Sequence, residues 1–108
     1  PIHRRRVSWL GNDIRIEDRI EGKSRHTIES QLHIHPDLRV ISGNESVLIK
    51  EGKEPLASVS SIGPGCIVIK EGWYCPEFGV QRRCKVLYLK HEATSLPLNT
   101  GWRIHTLT

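Results

Sequence analysis

Apolar and polar residues alternate along most of this 108-residue chain with a period of two. No stretch of twelve residues carries the 3.6-residue apolar period of a helix. Glycine and proline interrupt the pattern at short intervals, and between them lie runs rich in Val and Ile, which suit a pleated, half-buried surface. The pattern predicts strands near 2–10, 13–21, 25–35, 38–42, 46–51, 56–61, 66–71, 81–91 and 102–107. Nine short strands joined by turns predict an all-β fold, an antiparallel β-sandwich rich in hairpins and meanders, in one domain over 1–108.

The first hairpin can be placed in register. Gly11-Asn12 sits between two alternating runs, and a two-residue primed turn accepts the positive φ that Gly or Asn tolerates. That turn sets Trp9 opposite Ile14, Val7 opposite Ile16 and Arg5 opposite Asp18. On the other face Arg6 meets Glu17 and Ser8 meets Arg15. A slip of one residue would destroy the apolar matches and the charge matches together.

The third strand alternates as well, with His26, Ile28, Ser30, Leu32 and Ile34 on one face. A three-residue loop around Gly22 would set His26 opposite Asp18, or one pair diagonal to it. Arg5, Asp18 and His26 are therefore expected as a polar cluster on an apolar face. A buried carboxylate can orient a catalytic histidine. The structural reading is favoured, because a buried charge must be paired and Arg does that with two parallel hydrogen bonds.

Composition narrows the function classes. The net charge is +4, from 16 basic and 12 acidic residues. That balance permits an anionic partner without demanding one. No apolar run approaches the roughly 20 residues of a membrane-spanning helix. Cys66, Cys75 and Cys84 are an odd count with equal spacing, which fits neither a metal knuckle nor a disulfide framework. Reduced thiols are the favoured reading, with one bridge as the alternative. The chain contains no Met and opens Pro1-Ile2-His3-Arg4, which predicts a piece of a larger polypeptide.

Three further groups carry candidate chemistry. His33 and His35 would project from one strand face roughly 6.5–7 Å apart, a workable zinc pair with Glu29 or Asp37 as a third ligand. Such pairs are more often solvated, so no cofactor is expected and zinc is the alternative. Arg4 and Arg6, in the run His3-Arg4-Arg5-Arg6, are candidate binders of an acidic substrate. Nucleic acid is not expected, because alternation splits the basic run between two faces. Trp73 and Tyr74, in the aromatic stretch Trp73 to Gly79, are candidate sugar-stacking residues on a loop, with Phe78 beside them. Packing over the end of the sandwich is the competing reading. No glycine-rich phosphate loop, nucleophile elbow or paired-carboxylate signature is present.

The runs His3-Arg4-Arg5-Arg6-Val7, Ile16-Glu17-Asp18-Arg19-Ile20-Glu21-Gly22 and Leu32-His33-Ile34-His35-Pro36-Asp37, with His26 between them, resemble the C-terminal β-sheet region of heparinase II/III-like proteins. Pro76-Glu77-Phe78-Gly79, Leu96-Pro97 and Trp102-Arg103-Ile104 are similar to that region's closing strands. The resemblance implies a larger protein in which an α/α toroid is joined to a β-sandwich. It also implies cleavage of uronic-acid-containing polysaccharide by β-elimination. The catalytic motif of such proteins has no counterpart here, so no catalytic residue is expected in this chain. The partners implied are the rest of its own polypeptide and an anionic polysaccharide, in a periplasmic or secreted setting. A stand-alone carbohydrate-binding domain and a purely structural β-domain are the alternatives.

Overall fold

The computed structural model describes residues 2–107 apart from Ser24, Asn44, Pro64 and Phe78; the side chains of His26, Pro76 and residues 92–95 also lie outside the described set. Nine antiparallel strands and no helix are found among the described residues. They are β1 (Ile2–Leu10), β2 (Asp13–Glu21), β3 (Arg25–His33), β4 (Arg39–Ser42), β5 (Val47–Glu51), β6 (Glu54–Ile62), β7 (Ile67–Glu77), β8 (Val80–Ser95) and β9 (Leu98–Thr106). Six form one sheet in the order β1-β2-β9-β6-β5-β4, and three form a second in the order β3-β8-β7.

The first hairpin has the expected register throughout, including Trp9↔Ile14, Val7↔Ile16, Arg5↔Asp18 and Arg6↔Glu17. Gly11 holds a φ of 59° in the turn, a conformation that costs glycine nothing because it has no Cβ. The far end of β9 pins the turn, with the Thr106 N–H donating to the Asn12 carbonyl at 2.8 Å.

The chain then departs from the expected path. β3 does not pair with β2: it leaves for the smaller sheet and pairs with β8, while β9 takes the place beside β2. His26 consequently stands opposite Thr94 on β8, not opposite Asp18. Alternation fixes which face of a strand is buried, but it does not choose between two sheets whose inner faces are equally apolar. The second correction concerns Trp73 to Gly79, expected as a loop. β7 continues through it to Glu77, with an irregularity in pairing between Tyr74 and Glu77. Pro76 falls within that irregularity of an edge strand, the setting in which a sheet tolerates a residue with no N–H.

The inward side chains of both sheets meet in a core of Ile34, Val47, Ile49, Val59, Leu87, Leu89 and Trp102. Ile16, Leu32, Ile67, Ile69 and Ile104 pack around it. The larger sheet is twice as wide as the smaller one, so its β1 edge is left uncovered. Val7 and Trp9 share the inward face of β1 with Arg5 yet are 59% and 75% exposed.

Candidate functional site

At one end of the sandwich the inner face turns polar. Asp18 is buried on β2, and Arg5 grips its carboxylate from β1 with two hydrogen bonds, Nε to Oδ1 at 2.8 Å and the second nitrogen to Oδ2 at 3.2 Å. His3, two residues before Arg5 on the same face, adds Nε2 to Oδ1 at 2.9 Å. The expected cluster therefore forms around Arg5 and Asp18, with His3 beside them; the side chain of His26 lies outside the described residues. Burial alone would push the Asp18 carboxyl up, but hydrogen bonds and charge from Arg5 and His3 outweigh it and hold the group below the usual aspartate value. Asp18 raises the Arg5 guanidinium in turn. An open cavity of about 310 Å³ separates this cluster from Ile28, Glu29, Ser30 and Gln31 on β3.

The polar layer continues inward. Thr100 is the ladder partner of Asp18 and shares a 3.0 Å hydrogen bond with Nε2 of His91 on the opposite sheet. His91 is buried, and desolvation lowers its pKa. Beside this pair the indole N–H of Trp102 donates to the Ser30 hydroxyl at 2.9 Å. No buried side-chain nitrogen or oxygen lacks a partner among the described residues.

Arg4 and Arg6 alternate with Arg5 and so emerge on the opposite, solvent-facing side of the larger sheet. Arg4 lies directly across from Arg19, whose guanidinium is held by Glu21 at 2.7 Å and Asn99 at 3.2 Å. A cavity of about 280 Å³ is lined by Arg4, Arg6 and Arg19 together with Arg5, Glu17, Asp18, Asn99, Thr100 and Ile62. Of these, Glu17 is the acid that shares the outer face with the three arginines, and it is engaged by Arg15.

Trp73 and Tyr74 do not form one platform. They occupy successive ladder positions on β7, opposite Arg83 and Arg82, so their rings leave opposite faces of the sheet. Trp73 is 54% exposed and lies under the Arg83 guanidinium, 5.3 Å from the ring centre. Tyr74 packs against His35 at 5.1 Å with the rings tilted by 60°. Phe78 is outside the described residues.

His33 pairs with Val86 at the end of β3, and His35 lies beyond the strand. Nδ1 of His35 accepts the Asp37 backbone N–H at 3.1 Å, and Asp37 is bound by Arg82 at 2.8 Å. Among the described residues no group of three or more His, Cys, Asp or Glu side chains is arranged to hold a metal ion. All three cysteines are free; Cys84 is buried, and Cys66 and Cys75 are exposed.

A family model for the heparinase II/III-like C-terminal region matches residues 1–103. The chain belongs to that family. No curated protein and no solved structure matches it. Three members of the polar layer in this heparinase II/III-like region, His3, His91 and Thr100, are not singled out by the sequence alone. His3 belongs to a basic run in the sequence, and the hairpin register sets it two residues from Arg5 on the Asp18 face. The pairing of His91 with Thr100 had no sequence signal, because it depends on β9 inserting beside β2.

Proposed function

We propose that this heparinase II/III-like region is a non-catalytic β-sheet part of a larger protein that cleaves uronic-acid-containing polysaccharide by β-elimination. The match over residues 1–103 is the observation that carries this reading. β-Elimination needs a group that neutralises the uronate carboxylate, a base for the C5 proton and an acid for the leaving oxygen. The Arg5–Asp18 pair is suited to holding β1 against β2, since its carboxylate is already saturated by Arg5 and His3. In this reading the sandwich braces an α/α toroid from the same polypeptide and lends one wall to the substrate cleft. Arg4 and Arg6 face the anionic chain, and Trp73 and Tyr74 offer separate apolar contacts. Any zinc would be held at His33 and His35 with ligands from the remaining polypeptide.

The test is an assay of the full-length gene product on a panel of uronate polymers, following the ultraviolet absorbance of the unsaturated uronate product, with residues 1–108 alone as the control. Activity in the full-length protein and none in the control is the expected result. Activity in the control, or none in either on any polymer, overturns the reading.

A further inference from the structure

The outer face of β1, β2 and β9 holds more positive charge than its own acids neutralise. Asp13 is engaged by Arg103 at 3.2 Å and His105 at 2.8 Å, Glu17 by Arg15 at 3.8 Å and Glu21 by Arg19 at 2.7 Å. Each acidic side chain on this face thus has a basic partner. Arg4 and Arg6 make no hydrogen bond or ion pair among the described residues, and Arg4 feels Glu21 only through space. Arg4 also stands directly across from Arg19, and like charges in that position destabilise a sheet. A glutamate at position 4 would turn the same pair into a favourable one, so the arrangement runs against folding stability. Local rules of this kind are broken where function requires it.

The ladder keeps a cavity open between these cations. Gly101 sits between Glu17 and Ile62, and a Cβ there would come within 2.0 Å of the Ile16 carbonyl oxygen. The strand must pass without a side chain, so nothing rises beside the cavity from that position. Arg19 is fixed by Glu21 and Asn99, while the donors of Arg4 and Arg6 are unengaged among the described residues.

We propose that this cavity seats a single oxyanion, the carboxylate or sulfate of an acidic sugar, gripped by Arg4 and Arg6 with Arg19 at its rim. The planar guanidinium fork presents parallel N–H donors that match either group. The sugar assignment rests on the function proposed above; the seat itself rests on the unpaired charges. A nucleic-acid strand would be expected to stack its bases on aromatic rings. No Trp, Tyr or Phe ring lies on this face among the described residues, because Trp9 belongs to the inward face of β1.

The test is an NMR titration of the isotope-labelled 108-residue chain, first with inorganic sulfate and then with a uronate hexasaccharide in sulfated and unsulfated forms. Saturable shifts are expected at the Nε–H groups of Arg4, Arg6 and Arg19 and in the backbone of residues 99–101. Sulfate shifting these signals together with only the sulfated sugar names the ester as the ligand; shifts with both sugars name the carboxylate as well. The Arg4→Gln/Arg6→Gln variant should bind about tenfold more weakly or worse, the effect of losing about 1.4 kcal/mol or more of charge-assisted hydrogen bonding. Its thermal midpoint should change little, because losing the repulsion between Arg4 and Arg19 offsets losing the attraction of Arg6 for Glu17 opposite it. Arg83→Gln should bind like the parent chain. Equal affinity in the double variant, shifts centred on Trp73 and Arg83, or no saturable shift with any probe overturns the seat. Tighter binding of a DNA duplex than of the hexasaccharide overturns the sugar assignment. Binding here without elimination by the full-length protein would remove the lyase reading and leave the seat, and the converse result would do the opposite.

Discussion

The indole of Trp102 reaches across the interior from β9 and donates its N–H to the hydroxyl of Ser30 on β3 at 2.9 Å. Trp102 is 1% exposed and sits at the centre of the core. An indole in that position must find an acceptor, and Ser30 supplies it from the opposite sheet. This bond, with that of His91 to Thr100 beside it, ties the two sheets together where their side chains change from apolar to polar.

Ser30→Ala should therefore cost more than the loss of a surface hydroxyl. It leaves the Trp102 N–H buried without a partner, a penalty of about 1–3 kcal/mol. The midpoint of chemical denaturation should fall with an unchanged slope. Ser30→Thr, which keeps the acceptor, should recover most of the loss if the extra methyl is accommodated. An unaltered midpoint in Ser30→Ala would mean that the bond contributes nothing.

The architecture was readable in the sequence wherever two neighbouring strands constrained each other. Arg5 against Asp18 and Val7 against Ile16 selected one register for β1 and β2, and that register is the one observed. The alternation of β3, His26 to Ile34, satisfies the inner face of either sheet and so does not fix which one it joins. Only the insertion of β9 beside β2 excludes the alternative, and that is a contact between distant parts of the chain. Gly72, Pro76 and Gly79 read as strand breakers, which predicts a loop for Trp73 and Tyr74 where the structure has β7. In β7 the proline lies on an edge strand, and Gly72 is a close-packing position: a Cβ there would come within 2.4 Å of Val86 Cγ2. The polar layer was half legible. Its cross-strand pair, Arg5 and Asp18, came from the hairpin, whereas the pairing of His91 with Thr100 needs both sheets in place.

Stability should depend on pH in two separable windows. The Asp18 carboxyl is held below its ordinary value in the folded chain. A depressed carboxyl contributes stability that is present above the unfolded value, near 3.8, and is lost as pH falls through the folded value. Asp18→Asn should flatten the acid limb of the stability curve and lower stability at neutral pH, since Arg5 and His3 lose their counter-charge. A parallel, unflattened limb in Asp18→Asn would show that other carboxylates carry the acid transition.

The second window belongs to His91. Burial lowers its folded pKa from 6.5, so the unfolded chain takes up a proton before the folded one does. Its contribution is present above pH 6.5 and lost progressively as the pH drops toward the folded value. Thermal midpoints measured between pH 7.5 and 5 should decline in the parent chain and decline less in His91→Gln. The glutamine should keep part of the hydrogen bond to Thr100. Identical slopes in the two proteins would rule out His91 as the source.

Gly101→Ala and Gly72→Ala separate two kinds of close approach. At Gly101 the added methyl would meet the Ile16 carbonyl oxygen at 2.0 Å and its carbon at 3.0 Å. Both are backbone atoms of β2, so relief requires β2 and β9 to move apart and strain the ladder that carries Asp18 and Thr100. At Gly72 the nearest atom is a methyl of Val86, a side chain on a β-branched residue that can yield only by leaving its preferred rotamer. Overpacking of this sort costs about 1–3 kcal/mol, and Gly101→Ala should fall at the upper end or prevent folding. Gly72→Ala should fold with a smaller loss and a disturbance confined to Val86 and Cys84. Amide exchange distinguishes the two: faster exchange along Asp13–Ile20 is expected in Gly101→Ala alone, provided that variant folds. If Gly72→Ala proves the more damaging, the rigidity assigned here to the β2–β9 ladder is wrong and the smaller sheet is the stiffer of the two.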